Sequence, residues 1–143
     1  MILSKKNPSS PIAHIILNKN PSPSPIAHTI QIVDATANID AGAYVDYPFI
    51  IPSNSSNIHV SGTFTVQGGS GGIIVYIFDS TNFYNYETGG YFGGLYQSSQ
   101  TTTGLISSNL DTNGTYYLVL DNTLSKINQT VNIQANATYF TPS

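Results

Sequence analysis

Three histidines and seven carboxylates are the residues of this 143-residue chain best suited to acid–base or metal chemistry. His14 and His28 occupy matching places in an N-terminal repeat, and His59 lies in an alternating, strand-like run. A hydrolytic Ser–His–Asp arrangement needs a base held by an acid beside a nucleophile, but the carboxylates are dispersed along the chain. We therefore expect no enzyme, and we expect His59 to be a surface or cross-strand residue.

Metal and cofactor sites have little support from the same residues. Zinc sites use three or four ligands, and neither His14 nor His28 has an acid nearby in sequence. The segment 111–114 begins like a calcium loop but lacks the later Glu, and its Asn-Gly pair is typical of a hairpin turn. The glycine runs at 68–72 and 89–94 do not lead to Lys-Ser/Thr, as a phosphate loop would. The sequence predicts no cofactor and no metal, and it leaves calcium open as an accessory.

A dense group of aromatic residues lies between positions 83 and 96. Aromatic side chains can stack on sugars or form protein interfaces, where tyrosine is enriched. They can equally cap one end of a core as a folded-over loop, and all three interpretations stay open. The candidate ligand or interface residues are Tyr84, Tyr86, Tyr91, Phe92 and Tyr96.

Four Asn-x-Ser/Thr sequons are present, at Asn54, Asn113, Asn128 and Asn136. This motif is the acceptor for N-glycans. All four fall at predicted turns or strand ends. The sequence thus predicts a surface protein with covalent N-glycans.

Composition limits the classes of protein that this chain can form. Hydrophobic residues make up 40% and charged residues only 8%, against about 25% charged residues in typical domains. There is no cysteine, which excludes disulfides and thiolate chemistry. There is also no arginine, which argues against nucleic-acid binding. No apolar stretch is long enough for a membrane-spanning helix. We expect an extracellular or cell-surface protein, although no signal peptide is recognisable at the start.

The N-terminal arm, residues 1–33, differs from the rest of the chain. Residues 1–28 contain three lysines and no acid, a charge of +3, whereas residues 29–143 contain one lysine and seven acids, a charge of −6. The segment 6–14 recurs as 19–28 with one residue inserted. Its Pro/Ser parts favour an extended backbone, and each copy is followed by a β-prone run.

Residues 34–143 are predicted to form one all-β domain. Short runs rich in Val, Ile, Thr, Tyr and Phe alternate with Gly, Asn and Ser, a pattern typical of strands and turns. The predicted strands lie near 29–40, 43–50, 57–66, 72–78, 94–98, 102–107, 115–121 and 129–140. About eight strands without a helix predict a single antiparallel β-sandwich or jelly roll.

The segment 113–125, together with Thr130–Ile133, resembles a signature of GOLD-type (Golgi dynamics, emp24-like) β-sandwich domains. In such domains a glycine–aromatic turn and an apolar strand precede an Asp-Asn turn and a last strand. Upstream, the segments 62–64 and 75–79 look like the preceding strands in GOLD-like domains of secreted microbial surface proteins. The resemblance covers roughly residues 35–140 and implies a compact sandwich used for protein contacts, without chemistry.

An extended basic arm beside an acidic body predicts assembly by strand addition, in which one chain's arm pairs with a sheet edge of its neighbour. We expect a head-to-tail homopolymer, such as a donor-strand extracellular filament. The predicted arm anchors are Ile12, Ile15, Leu17, Ile26, Ile30 and Ile32. The alternative is a monomeric cell-surface module that binds carbohydrate or protein through the Tyr-rich segment 83–96.

Overall fold

The computed structural model describes residues 23–68 and 70–143. Within them the chain forms eight strands and one helix. In chain order these are β1 Ile26–Ile39, β2 Tyr44–Ile51, β3 Ser56–Gln67, β4 Ile74–Asp79, α1 Ser80–Thr88, β5 Tyr96–Gln97, β6 Thr103–Leu110, β7 Gly114–Asp121 and β8 Gln129–Thr141. All eight predicted strands are present, with bounds that differ by a few residues.

The strands form two four-stranded antiparallel sheets. Sheet A has the order β1-β8-β3-β6, and sheet B has the order β2-β7-β4-β5. Each of the first four strands therefore pairs with a strand from the second half of the chain in at least one ladder. This ordering is that of an eight-stranded jelly roll, which confirms the predicted fold class.

The core lies between the two sheets and follows from strand alternation. In β8 the residues Val131, Ile133, Ala135 and Ala137 are all 2% exposed or less, while their neighbours in sequence point outward. Each large apolar side chain buried in this way contributes about 1.5–3 kcal/mol. Close packing of the strands also requires a glycine at position 62, since a Cβ there would overlap the backbone of β8.

The sandwich has two distinct ends. The arm end holds the start of β1 and its neighbours, namely Ile26, Thr141, Ser56 and Leu110. The opposite end, called the cavity end, holds Ile39, Gln129, Tyr44 and Asp121. Because β1 has 14 residues, the two ends are about 45 Å apart at 3.2–3.4 Å per residue.

The expectation of a chain without helices is wrong at Ser80–Thr88, which forms α1. Asp79 caps the helix by accepting a hydrogen bond from the Asn82 N–H at 2.8 Å, and Gly89 ends it with a left-handed φ of 80°. Only Phe83 of the helix is buried, so the sequence has no apolar stripe with the helical period.

The arm boundary predicted at residue 33 is also wrong, because residues 26–33 belong to β1. Ile26 pairs with Thr141 and Ile30 with Ala137, both in the chain's own β8. Ile30 and Ile32 pack against the core, whereas Ile26 is 47% exposed. The other predicted anchors, Ile12, Ile15 and Leu17, lie outside the described residues. No helix in the described part of the chain is long and apolar enough to cross a membrane.

Candidate functional site

A second apolar cluster lies on the outer face of sheet B. Its buried members are Tyr76, Phe78, Phe83 and Val119. The helix α1 and the following segment 89–95 cover this face, so β4 is buried on both sides. The nearly continuous apolar run in β4 is therefore that of a central covered strand, as predicted.

The candidate aromatic residues divide into two groups. Tyr86 packs against the cluster, and the ring of Phe92 meets it edge to face at 5.2 Å between centroids. Tyr96 lies in β5. In contrast, Tyr84 is 65% exposed and Tyr91 is completely exposed. The core therefore uses only part of the set, and Tyr84 lies on a helix rather than on a loop.

The cluster opens at the cavity end into a cavity of about 330 Å³. We call it the aromatic cavity. Four of its wall residues are aromatic, and two lie in the turn after β7. The lining residues are Tyr44, Ile74, Tyr76, Tyr86, Phe92, Asp121, Thr123 and Leu124.

The rings of the aromatic cavity stand at steep angles to one another. Phe92 lies 86° from the plane of Tyr76, with centroids 5.8 Å apart. Tyr44 lies 73° from the plane of Tyr86, with centroids 5.0 Å apart. The rings therefore pack edge to face with one another along the cavity wall instead of forming a flat stack.

Two carboxylates accept the hydroxyl hydrogens of Tyr44, Tyr86 and Thr123 on the cavity wall. Asp121 is only 6% exposed; its Oδ2 accepts from the Tyr86 hydroxyl at 2.7 Å, and its Oδ1 accepts from the N–H and hydroxyl of Thr123 at 2.7 and 2.6 Å. The exposed Glu87 accepts from the Tyr44 hydroxyl at 2.8 Å. All three donor side chains are neutral, so neither carboxylate has a positive partner in these bonds.

These contacts raise the pKa values of the tyrosines. Burial, the hydrogen bond to Glu87 and the nearby carboxylate charges raise the pKa of Tyr44 to about 12. Burial, followed by the hydrogen bond to Asp121, also raises the pKa of Tyr86 above its ordinary value. Both hydroxyls thus stay protonated at neutral pH and remain donors to the carboxylates.

Asn122 lies in the turn after β7, at the cavity end, and is only 1% exposed. Its Nδ2 donates to the carbonyls of Ile39, Asp40 and Ile127 at 3.2, 3.1 and 2.9 Å. One amide therefore ties the end of β1 to the turn before β8. Sequence reasoning identified the Asp-Asn turn only through a resemblance and missed this role.

A second feature is one of the two edges of sheet A, formed by β6. The Val66 N–H donates to the Thr102 carbonyl at 2.7 Å, so that carbonyl faces β3. Backbone groups alternate in direction along a strand, so the odd-numbered residues of β6 face away from β3. In agreement, the Tyr96 hydroxyl reaches the outer side and donates to the Leu105 carbonyl at 2.8 Å. We call the outward backbone groups of Leu105, Ser107 and Asn109 the β6 edge.

The other sheet edges carry protective features. β1 contains Asp34 and a register shift between Gln31 and Val33, and β2 contains Asp46 and Pro48. Charges, prolines and bulges at an edge hinder pairing with another chain. The remaining edge strand, β5, has only two residues.

β6 has none of these features. It has eight residues, no charge and no proline, and its ladder with β3 has no register shift. In the described part of the chain, β3 is the only strand that pairs with it. Its outward side chain Leu105 is 76% exposed. A long, uncharged and exposed edge of this kind is a template for another strand.

His59 makes the cross-strand contacts that the sequence predicted. Its Nδ1 is 2.7 Å from Asn109 Oδ1, and its Nε2 is 3.3 Å from Ser107 Oγ. The order Ser–His–Asn is that of a hydrolytic relay, which sequence reasoning missed because the residues lie 48 and 50 positions apart. However, Ser107 and Asn109 are exposed, and the Ser–His distance exceeds the usual 2.6–3.2 Å.

The other histidine that the structure describes, His28, also has a structural role. Its Nε2 is 2.7 Å from Thr141 Oγ1, and its ring stacks on Tyr139 with centroids 5.0 Å apart. Its repeat partner His14 lies outside the described residues. Among the described residues, no group of three His or acidic side chains is placed to hold a metal.

Three of the four sequons lie in exposed turns, and one does not. Asn54 and Asn113 are exposed between strands, and Asn128 is exposed with its Oδ1 accepting the Ala41 N–H at 2.9 Å. Asn136 lies within β8, opposite Gln31 on one side and Ser61 on the other. The expectation that all four lie at turns or strand ends is thus wrong for Asn136.

Comparison with known proteins finds similarity in structure only. No protein-family model matches the chain, and no curated protein matches it. The resemblance to GOLD-type domains accordingly stays a prediction.

Among solved structures, the chain is similar to a subunit of Bacillus endospore appendages, described as disulfide-linked pili, with 13% identity over 86% of this chain and 95% of that one and a TM-score of 0.48. It is similar to a cyanophage Pam1 capsid protein, with 12% identity over 82% and 86% and a TM-score of 0.46. It is also similar to a carbohydrate-binding module of Cellvibrio mixtus lichenase 5A, with 20% identity over 76% and 95% and a TM-score of 0.39. Likenesses at this level do not indicate a function.

Proposed function

We propose that the chain is a non-catalytic structural subunit of an extracellular filament or surface assembly, in which the N-terminal arm of one subunit pairs with the β6 edge of the next. The observation that carries the proposal is the difference between β6 and the other edges. Every other long edge strand has a charge together with a proline or a register shift, and β6 has neither. A soluble monomer would be expected to protect such an edge.

The arm has the properties that a donated strand requires. Its run 12–17 is Ile-Ala-His-Ile-Ile-Leu, which is β-prone and shorter than the eight residues of β6. The arm's charge of +3 is opposite to that of the body, −6. Opposite charges favour contact between the arm and another subunit's body over contact between two arms.

The direction of the strands favours a head-to-tail arrangement. The arm enters the sandwich at the arm end, and β1 runs from there to the cavity end. An arm that joins a neighbour stacked on this axis would run antiparallel to β6, which starts at the cavity end and finishes beside Ile58 at the arm end. A head-to-tail contact that does not close into a ring builds a filament.

The set of donor residues is smaller than the sequence predicted. Ile26, Ile30 and Ile32 lie in the subunit's own β1, so the proposed donor anchors are Ile12, Ile15 and Leu17.

N-glycans on the exposed turns at Asn54, Asn113 and Asn128 would add a hydrophilic coat. This part of the proposal is tested by mass spectrometry of the native protein.

Electron microscopy of full-length variants tests the proposal. We expect filaments from the natural chain and none from Ile15→Asp/Leu17→Asp, which places two charges in the donated run. The matched control, Ser9→Asp/Ser10→Asp, adds the same charges to the Pro/Ser spacer and should still assemble. Equal assembly by the two double variants, with both folded by circular dichroism, would rule out donation of the 12–17 run.

A monomeric binding module is the second candidate, because Tyr91 and Tyr84 are highly exposed aromatic side chains that the core does not use. In that case the natural chain would sediment as a monomer at all concentrations. Binding to a carbohydrate or protein ligand would then be lost in Tyr91→Ala and kept in Tyr117→Phe, whose ring stacks on Phe83 inside the cluster.

A further inference from the structure

We infer that the aromatic cavity binds a primary ammonium group, and that its occupant is the Lys19 side chain of a second copy of this chain. The identity of the occupant rests on the proposed function, because it requires an arm that reaches a neighbouring subunit. The ammonium chemistry rests on the cavity alone.

The walls of the cavity favour a cation. Four aromatic rings line it, and the face of an aromatic ring carries negative charge that attracts ammonium groups. Phe92 packs at steep angles to Tyr76 and Tyr86, and all three line the cavity, so an ammonium group there would contact several rings at once.

The hydroxyl groups on the wall favour an ammonium over a sugar. Tyr86 and Thr123 donate their hydroxyl hydrogens to Asp121, and Tyr44 donates to Glu87. Their remaining lone pairs can only accept hydrogen bonds. An ammonium group has three donors and no acceptor, so it suits a wall of acceptors. A sugar hydroxyl needs a donor as well as an acceptor, and the hydroxyl hydrogens of Tyr44, Tyr86 and Thr123 are already used in bonds to the carboxylates.

The charge of the cavity supports the same ligand. Asp121 is nearly buried, and its three bonds come from neutral donors. A buried charge without an opposite partner is unfavourable, so a cation that entered beside Asp121 would be stabilised. The volume of about 330 Å³ is at the small end for ligand pockets and suits a single side chain.

The position of the cavity selects the occupant. The chain has no arginine and four lysines, of which Lys126 belongs to the body and the others to the arm. Lys19 precedes Pro23 by four residues, so it lies within about 14 Å of the start of the described chain. Pro23 lines a pocket with Thr141 at the arm end, about 45 Å from the cavity end by strand length.

Lys19 therefore cannot reach the aromatic cavity of its own subunit. In a head-to-tail arrangement, the arm end of one subunit adjoins the cavity end of the next, and Lys19 comes within reach. Leu124 and Phe92, which line the cavity, are 66% and 41% exposed. They would be covered by the same contact.

The ammonium site is tested by nuclear magnetic resonance on the full-length, assembly-deficient Ile15→Asp/Leu17→Asp chain. The probe is Nα-acetyl-lysine methylamide, and its matched control is the norleucine analogue, which has the same carbon chain without the charge. We expect the lysine probe alone to shift the signals of Ile74 and Phe92. Phe92→Leu keeps apolar bulk without the ring, and it should weaken binding about two- to fivefold. Glu87→Gln, which removes an exposed charge, should also weaken binding. Equal binding of both probes, or no binding of either, would overturn the inference.

The occupant is tested by disulfide cross-linking. The natural chain has no cysteine, so only the introduced cysteines can form disulfides. We expect Asn18→Cys/Leu124→Cys to form a ladder of disulfide-linked oligomers, and Asn18→Cys/Ser53→Cys, with the second cysteine at the arm end, to form none. Filaments without the 18–124 cross-link would refute Lys19 as the occupant and leave the proposed function intact. Failure to form filaments at all would refute the proposed function, while the probe titration would still decide whether the cavity binds ammonium.

Discussion

Replacement of Ser107 by proline is the sharpest perturbation of the β6 edge. The Ser107 N–H faces away from β3, so proline removes no hydrogen bond from the subunit's own ladder. Edge strands tolerate proline on their outward side, and Ile106, the preceding residue, is already extended, as proline requires. We therefore expect the free energy of unfolding of the subunit to change by about 1 kcal/mol or less.

Assembly should respond far more strongly than folding. A donated strand would lose one hydrogen bond, worth about 1 kcal/mol, and would keep a carbonyl that is buried without a donor, at a cost of about 1–3 kcal/mol. The total of about 2–4 kcal/mol corresponds to a critical concentration for assembly roughly 30- to 700-fold higher.

The assay compares pelleting of filaments across protein concentrations with thermal unfolding followed by circular dichroism. Ser107→Ala is the matched control, because it also removes the hydroxyl near His59 but keeps the backbone N–H. We expect the alanine variant to assemble like the natural chain. If the proline and alanine variants were both folded and shared one critical concentration, β6 would not be the acceptor edge.

Three further predictions concern the subunit itself. Asn122→Ala should lower the free energy of unfolding by about 2–4 kcal/mol, roughly 6–15 °C in Tm, because the buried amide's contacts with three carbonyls are lost. Asn128→Ala, at an exposed site with one bond, should cost far less, and equal losses would contradict this role. The pKa of Tyr44 is raised to about 12, above the usual value of about 10, so its contribution to stability is complete below about pH 10 and is lost as the pH rises toward 12. Ultraviolet titration of the natural chain and Glu87→Gln should show a lower pKa for Tyr44 in the variant, and an unchanged pKa would contradict the assigned cause. Ser107 should not react with a fluorophosphonate probe, and labelling that Ser107→Ala abolishes would instead make the chain a serine hydrolase.

The strands could be predicted because their pattern depends only on neighbouring residues. Alternation in β3 and a continuous apolar run in β4 are local properties, and both correspond to observed burial. The helix α1 could not be predicted in this way, since Phe83 is its only buried residue and Tyr86 its only other contact with the cluster. Its caps, Asp79 and Gly89, were the available signal, and an aspartate and a glycine also occur at ordinary turns.

The aromatic cavity depended on contacts that sequence does not display. The sequence shows a concentration of aromatics between 83 and 96, but Tyr44 and Asp121 come from distant strands that pair at the cavity end. Tyr84 and Tyr86 are only two residues apart, yet Tyr84 is exposed to solvent whereas the Tyr86 hydroxyl donates a hydrogen bond to Asp121. Composition alone therefore could not separate core aromatics from the walls of a site.

The arm boundary was misplaced for a reason that bears on the proposed function. A strand that joins its own sheet and a strand that joins a neighbour's sheet have the same sequence signature, because both are recognised by main-chain hydrogen bonds. The second repeat copy continues into β1 and pairs with its own β8, with His28 on Tyr139 and Thr141.

The first copy has the same Pro-Ile-Ala-His sequence, but the edge of β8 is already occupied by β1 in every folded subunit. The β6 edge of a neighbour, which has no charge, proline or register shift, is then the favoured acceptor among the long described edges. β6 itself contains no tyrosine to reproduce the contact of His28. Pairing there would depend on main-chain hydrogen bonds and the apolar residues of the 12–17 run, which is why the acceptor is tested at a backbone N–H and the donor at Ile15 and Leu17.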